Sequence, residues 1–542
     1  MIELQPVVFL VVGVVIVNGI AGRIGLPAPI LLVVAGVGVS FIPGAPDYQV
    51  NPELVLSVLL PPLLFAAAVE SSVIAIRRLL RAITQLAIGM VLVTAFAVAF
   101  VLQMVLPEIP FSAALALGAI VAPPDAVAAV AVARRAGLPR QVVTVLEGES
   151  LFNDATSLVL LKVAVSGILL GSMEWGRGLL EFAWATVGGL LIGGAIGLLA
   201  SAGRRYTSSS LPITALSLVT PFLAYQLGEL ADASGVLAVV VAGLVLGFRS
   251  PMDLQPEVRL TMRATWNALQ YVLEGAVFAL IGLQLWGIVT APDIGRAPTL
   301  LVSGAVLLTV ILIRPIWIFL LNGIGRLLGR PGAIGSWRPL AAVSWAGMRG
   351  VVSLAAAQTL PLTTPYRALL LTCTIAVILG TLVLQGLTLP TVIRLLHLPG
   401  DPDADLAKER ALAQQQANEA IAARVEEAVA DEHLPAEEAT QMRAWAASRN
   451  WRGLTERLER RGGDAGARLA RISDWRHELV GIERDVFVSM RNSGSLSEEV
   501  LRELEYDLDL EEALLDRRVD DATGHLDQLR AERLDRDGDP DR

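Results

Sequence analysis

Apolar residues fill the first 400 positions in runs of about 18 to 25, long enough to cross a hydrocarbon core of roughly 30 Å. The runs fall near 6–22, 27–43, 52–71, 82–106, 111–133, 141–170, 179–202, 211–230, 234–248, 265–289, 298–325, 339–361 and 367–396. A soluble globular chain has no use for thirteen of them, so the pattern predicts an all-α polytopic membrane protein. MIELQP carries no positive charge ahead of the first run, which is therefore expected to be a retained span rather than a cleaved signal. After Pro399 the pattern changes. Heptad-like segments such as LRELEYDLDLEEALLDRRV predict amphipathic helices, RRGGDAGA a flexible joint, and the last residues disorder. Two domains follow: a transmembrane domain, 1–400, and an acidic helical tail, 401–542.

Charge gives the runs an orientation. Residues 1–400 hold 17 Asp/Glu and 22 Lys/Arg, whereas residues 401–542 hold 35 and 21. Connections on one side carry Arg23; Arg77, Arg78 and Arg81; Arg134, Arg135 and Arg140; Arg204 and Arg205; Arg249, Arg259 and Arg263; Arg326, Arg330 and Arg338. Those on the other side carry only Arg177, Arg296 and Arg367. The basic side is expected in the cytoplasm, with the N-terminus outside and the tail inside. Spans 1–6 and 8–13 would then form two inverted six-helix repeats joined by span 7, a common build for secondary transporters. The tail's net charge of −14 argues against nucleic acid and anionic lipid as partners. The bilayer is the partner that the composition requires. A tail that binds a regulatory ligand or protein and one that merely solubilises both fit.

Breaks in the runs point to a site. IVAPPDAVAAV, 120–130, places Pro123 and Pro124 before Asp125 in span 5. SWAGMRGVVSLAAA, 344–357, brackets Arg349 with Gly347 and Gly350 in span 12. Both spans are fifth in their repeat, and paired Gly/Pro interruptions at matching places mark transporter sites. Ionisable groups inside the membrane are functional candidates by default. They are Glu70, Asp125, Glu147, Glu149, Asp154, Glu274, Arg314 and Arg349. Lys162, near the end of span 6, can snorkel.

The densest cluster, LEGESLFNDATSLVLL, 146–161, puts Ser150 and Asp154 on one helical face and Glu149 and Asn153 on the next. A hydroxyl and a carboxylate are oxygen ligands suited to a hard cation. A polar knot of helix-joining hydrogen bonds is the competing reading, mainly for Glu149. A carboxylate near the midplane can hold a proton in one state and a desolvated cation in another. If the two cannot bind together, the site exchanges them. Arg314, beside Pro315, reads as structural. Glu274 is open between helix packing and lining a passage, and Arg349 between a charge pair and a transport role.

All four histidines lie at or beyond His397, and Cys373 is the only cysteine, so the spans lack the usual haem, zinc and disulfide residues. Cys373 is expected to be a buried thiol. A membrane enzyme would also want a nucleophile or metal cluster, and no such cluster is present. No cofactor is expected. A channel would want a continuous polar path, whereas the polar groups here cluster in a few spans. A channel on the same acidic site stays the rival to an antiporter.

GAIVAPPDAVAAV, EGESLFNDATSLVLLKVAV, SGVLAVVVAGLVLG, TWNALQYVLEGAVFALIGLQL and WAGMRGVVSLAAA together resemble the sodium/proton exchanger branch of the monovalent cation:proton antiporters. The tail stretch VFVSMRNSGSLSEEVLRELEYDLDLEEALLD is similar to the cytosolic extension of bacterial members. The resemblance implies a homodimer of 13-span subunits in a bacterial plasma (inner) membrane. It implies two crossed, partly unwound helices and alternating access. It implies that Asp154 is the principal cation and proton carboxylate, with Asp125, in the unwound span 5, sharing in the proton and cation exchange. Ser150, Glu70 and the Pro124 backbone carbonyl would help hold the cation. Asn153 would support the site, and Glu149 and Arg349 would form a charge pair. An Asn-Asp pair goes with electroneutral exchange. The family pattern Thr-Asp-Pro reads Pro124-Asp125-Ala126 here, so the threonine hydroxyl is gone. Sodium, lithium and potassium all stay open as the cation.

Overall fold

The computed structural model describes residues 4–24, 27–42, 55–125, 129–130, 138–171, 173–206, 209–289, 295–329, 336–398, 402–431, 440 and 465–514. Ala126, Arg134, Arg135, Arg330, residues 460–464 of the expected joint and the end of the tail lie outside them, whereas the joint's last residues, Ala465–Ala467, are helical and not flexible linker. The described residues are helical, with no strand among them. In chain order the helices are α1 (Leu4–Ile24), α2 (Ala28–Ser40), α3 (Val55–Glu70), α4 (Leu80–Val105), α5 (Phe111–Val121), α6 (Arg140–Leu170), α7 (Trp175–Gly203), α8 (Ser210–Leu230), α9 (Gly235–Asp253), α10 (Pro256–Val289), α11 (Arg296–Leu327), α12 (Trp337–Trp345), α13 (Val351–Gln358) and α14 (Arg367–Leu396). The tail adds α15 (Pro402–Ala430), α16 (Ala465–Ser493) and α17 (498–514). Nine of the described helices are long and apolar enough to cross a membrane, and α2, α3 and α5 are shorter apolar helices. The two predicted breaks are present: α5 stops at Val121, and α12 and α13 are separated by residues 346–350.

The chain divides into two compact units. One comprises 1–207, 212–249 and 264–402; the other comprises 208–211, 250–263 and 403–542. The first is organised by two sets of helices. In one set, α4, α5, α6 and α11–α14 pack on one another, around Ala95, Leu117, Leu160, Val306 and Val377. In the other, glycines let backbones meet where hydrophobic force between helices is weak in lipid. Gly36 of α2 packs against Gly282 of α10, and Gly243 and Gly247 of α9 against Phe65, Ala68 and Val69 of α3. Gly189, Gly193 and Gly197, one turn apart on α7, lie along Leu237, Ala238 and Val245 of α9. Helix ends follow local chemistry. Pro139 precedes α6 with φ −55° and ψ 137°, and Gly171 ends it in the left-handed region at φ +71°.

Adjacent glycines of α7 give a controlled test. A methyl at 193 would overlap the backbone of Ala238, whereas one at 194 would meet nothing within 4 Å. Gly193→Ala is expected to cost about 1–3 kcal/mol by overpacking and to lower the thermal denaturation midpoint in detergent. Gly194→Ala is expected to leave the midpoint unchanged or raise it slightly.

Candidate functional site

The site begins with a shortage of hydrogen bonds. In an unbroken helix each carbonyl accepts from the N–H four residues on. Pro123 and Pro124 have no N–H, so the carbonyls of Ala119 and Ile120 lose their helical donors. The N–H of Asp125 is diverted to Met348 O at 2.7 Å, which frees the carbonyl of Val121 and crosses the break in α12–α13 over the end of α5. Donors from other helices make up the loss. Ser157 Oγ of α6 donates to Ala119 O at 2.7 Å. Arg349 donates through Nε to Val121 O at 2.9 Å and through Nη2 to Ala122 O at 3.0 Å. It also bonds Gly347 O, at its own break. Asn153 Nδ2 donates to Pro124 O at 2.7 Å. The arginine thus sits at the negative end of α5, where a cation is favoured.

The break in span 12 is shaped by close approach. Gly350 has φ −128°, which any residue can adopt. A Cβ there would overlap the carboxylate of Asp125. A Cβ at Gly347 would run into Arg314 and Arg349. Both glycines are needed for space rather than for conformation. Asp125 therefore lies against the start of α13, the favourable end of a helix for an anion. The backbone N–H of Arg349 is held by Thr381 Oγ1 of α14 at 3.0 Å.

Asp154 is the carboxylate that this scaffolding leaves over. It is 7% exposed. Its electrostatic neighbour is Asp125, another acid. Among the described residues no donor or cation pairs with it. Ser150 lies one turn before it on α6, partly buried. Glu70 ends α3 and is exposed. It shares a field with Glu274 of α10, which also feels Asp125 and accepts from Gln270 Nε2 at 2.7 Å. The structure thus places Glu274 among the acids. Pro124's carbonyl, expected as a cation ligand, is engaged by Asn153 and keeps one lone pair for an ion.

One expected pairing differs. Glu149 is bound by Arg314, not Arg349: Nη1–Oε1 is 2.5 Å and Nη2–Oε2 is 2.7 Å, with both side chains 1% exposed. Arg314 Nε also donates to Val343 O of α12 at 3.1 Å. Arg349 feels the charge of Glu149, but its donors are committed to backbone carbonyls. A guanidinium offers five donors in a fixed fork, and the opened backbone takes them first. Ser157 was not foreseen. The cue was available, because Pro123 deprives Ala119 of its donor and Ser157 lies one turn beyond Asn153. Lys162 pairs with Glu229 of α8 at 2.7 Å, and Cys373 is buried beside Ser303 Oγ at 3.4 Å. Breaking the buried pair with Arg314→Leu should destabilise the protein by about 3–5 kcal/mol, since Glu149 is left uncompensated. Glu149→Leu with Arg314→Leu should recover much of that in thermal denaturation.

Known proteins share the sequence pattern and the fold of this chain. Residues 7–395 match the transmembrane sodium/hydrogen exchanger family. An uncharacterised Na⁺/H⁺ exchanger of Mycobacterium tuberculosis is 34% identical, over 94% of this chain and 96% of its own. The Na⁺/H⁺ antiporter ApNhaP of Aphanothece halophytica is 33% identical, over 69% of this chain and 71% of its own. The structure of the sodium proton antiporter MjNhaP1 from Methanocaldococcus jannaschii at pH 8 superposes with a TM-score of 0.60 at 21% identity, covering 73% of this chain and 99% of that one. That likeness concerns the fold alone. With a family match across more than half of its length, this chain belongs to the sodium/hydrogen exchanger family.

Proposed function

We propose that this protein exchanges a monovalent cation, Na⁺ first and Li⁺ or K⁺ as alternatives, for H⁺ by alternating access at Asp154. The observation that carries the reading is the solitary state of that carboxylate. Both arginines of the crossing are engaged by other groups, and Asp154 is buried without a counter-charge among the described residues, next to Asn153, whose Oδ1 also lacks a hydrogen-bond partner. A buried carboxylate needs a cation or a proton. Either one neutralises it, and the two compete for the same oxygens. One carboxylate therefore gives one proton per monovalent cation, which is electroneutral exchange. Asn153 beside it does not titrate and ties α6 to the break. Ser150, the free lone pair of Pro124 O and the acids Asp125 and Glu70 complete the surroundings of the ion.

Pro124 keeps potassium in view. It replaces a hydroxyl-bearing residue of the family pattern, and its carbonyl already accepts one hydrogen bond, so the oxygen set is poorer for a small cation. The assignment includes the sided arrangement read from the loop arginines: N-terminus outside, tail in the cytoplasm, in the inner membrane of a bacterium. It also includes thirteen spans as two inverted repeats, a transport domain at 1–400, a tail at 401–542 and a homodimer. No cofactor takes part; the ions are substrates.

Proteoliposomes with an imposed pH gradient, given Na⁺, Li⁺ and K⁺ in turn, test the reading by fluorescence dequenching. Saturable cation-dependent proton movement without a membrane potential is expected. Its absence with all three ions removes the proposal, and unsaturable flux favours a channel. Asp154→Asn should bring exchange down to the level of empty vesicles while the protein keeps its elution volume. Retained exchange would displace Asp154 from its role.

A further inference from the structure

The tail helices carry buried charge as well as an apolar core. Ala413 and Ala417 of α15, Val480 and Phe487 of α16, and Leu501, Leu504 and Leu508 of α17 form the core. Glu505, Asp509 and Glu512, all on α17, are buried. The same compact unit contains residues 250–263, the stretch that leads into α10. Two arginines meet these acids. Arg259, 9% exposed, reaches both carboxylate oxygens of Asp509, with Nε at 2.8 Å, and also bonds Leu254 O. Arg484 of α16 reaches Asp509 at 3.2 Å and Glu512 at 2.5 Å. One turn beyond Arg259, Arg263 donates to Arg502 O at 3.2 Å and lies 4.9 Å over the ring of Tyr506. Thus α17 grips the first turns of α10.

Within that grip the charges do not balance. Asp509 and Glu512 engage the two guanidinium groups, Arg484 through Nη2 while its Nε is buried without a hydrogen-bond partner. Glu505 stands on the same face of α17, and its Oε1 is buried without a hydrogen-bond partner. The charged groups that act on it are Arg259 from α10, Arg484 from α16, and Asp509 and Glu498 along α17. Arg410 of α15 is spent on Glu503 and Asp507 at the exposed side. An ionised Glu505 would be a third buried carboxylate facing two cations, a costly state. A protonated Glu505 is neutral.

We propose that Glu505 is a second proton-binding site, outside the membrane-spanning segments, and that its protonation tightens the tail's grip on residues 254–263. Burial, the largest cause, pushes its carboxyl up to about 7; Asp509 and Glu498 act in the same direction, and Arg259 and Arg484 against it. The folded group therefore holds its proton more strongly than the unfolded one, whose ordinary value is 4.5. Its contribution to the grip is full below about 4.5 and is lost as pH rises through about 7. The gripped turns continue without interruption into α10, the helix that carries Gln270 and Glu274. Acidification on the tail side would thus stiffen the start of a helix that contributes to the acidic region. This regulatory consequence rests on the exchange reading; the proton site itself does not.

Hydrogen–deuterium exchange on the full-length protein in nanodiscs separates the two. Labelling at pH 6 and pH 8, with times scaled for intrinsic exchange, is read in peptides covering 254–263 and 498–514. The wild type should lose about tenfold or more of its protection between pH 6 and pH 8, as expected for a pKa displaced by more than one unit. Glu505→Gln should keep the pH 6 level at both values. Asp509→Asn should lose protection at both, because Arg259 loses its partner. Equal wild-type protection at the two pH values, or an unchanged pH response in Glu505→Gln, overturns the proposal. In proteoliposomes, Glu505→Gln should exchange ions with a flattened dependence on tail-side pH, and an unaltered dependence refutes the link to transport. If wild-type vesicles show no exchange, the transport reading fails while the deuterium result still decides the proton site.

Discussion

Everything around the crossing depends on one constraint: a backbone carbonyl opened inside a membrane must find a donor within the protein. Two consecutive prolines create the deficit, and the deviation of Asp125 N–H to Met348 O deepens it. Ser157, Asn153 and Arg349 answer it, each from another span. These three side chains therefore lock α6 and α12–α13 to the end of α5. The region around Asp154 is tied together by the same bonds that repair the broken helix, so its position is set by backbone accounting.

That repair also explains the isolation of Asp154. Arg349 could have neutralised an acid of the cluster, but its donors serve carbonyls. Arg314 is closed off by its two-pronged bond to Glu149. With Arg314 and Arg349 both occupied, Asp154, next to Asp125, has no fixed counter-charge among the described residues. Functional character here comes from what the structural pairs leave unpaired.

The breaks were legible because proline and glycine act locally: Pro123, Pro124, Gly347 and Gly350 mark lost donors and close approach without any knowledge of the fold. The face shared by Ser150 and Asp154 was legible for the same reason, since helical spacing is short-range. Partner choice was not. Glu149 could pair with either of two arginines from distant spans, and the decision lies in how many carbonyls Arg349 must serve, which appears only when α5 and α12–α13 cross. Glu274 stayed ambiguous because its neighbours, Glu70 and Asp125, come from other spans. In the tail, periodicity announced amphipathic helices but said nothing of Arg259, some 250 positions from its partner Asp509. Long-range charge pairing has no sequence period to betray it.

Pro123 and Pro124 have one more consequence. A break made by glycines can heal, because every N–H needed for a continuous helix is still present. A break made by prolines is costlier to heal, since rewinding α5 would still leave the carbonyls of Ala119 and Ile120 without main-chain donors, although α3 and α11 of this chain do run through Pro61, Pro62 and Pro315. The opened stretch is therefore harder to rewind than a glycine break in the same place. Ser157, Asn153 and Arg349 brace that opening against α6 and α12–α13, so the crossing is one reinforced piece rather than two separate kinks.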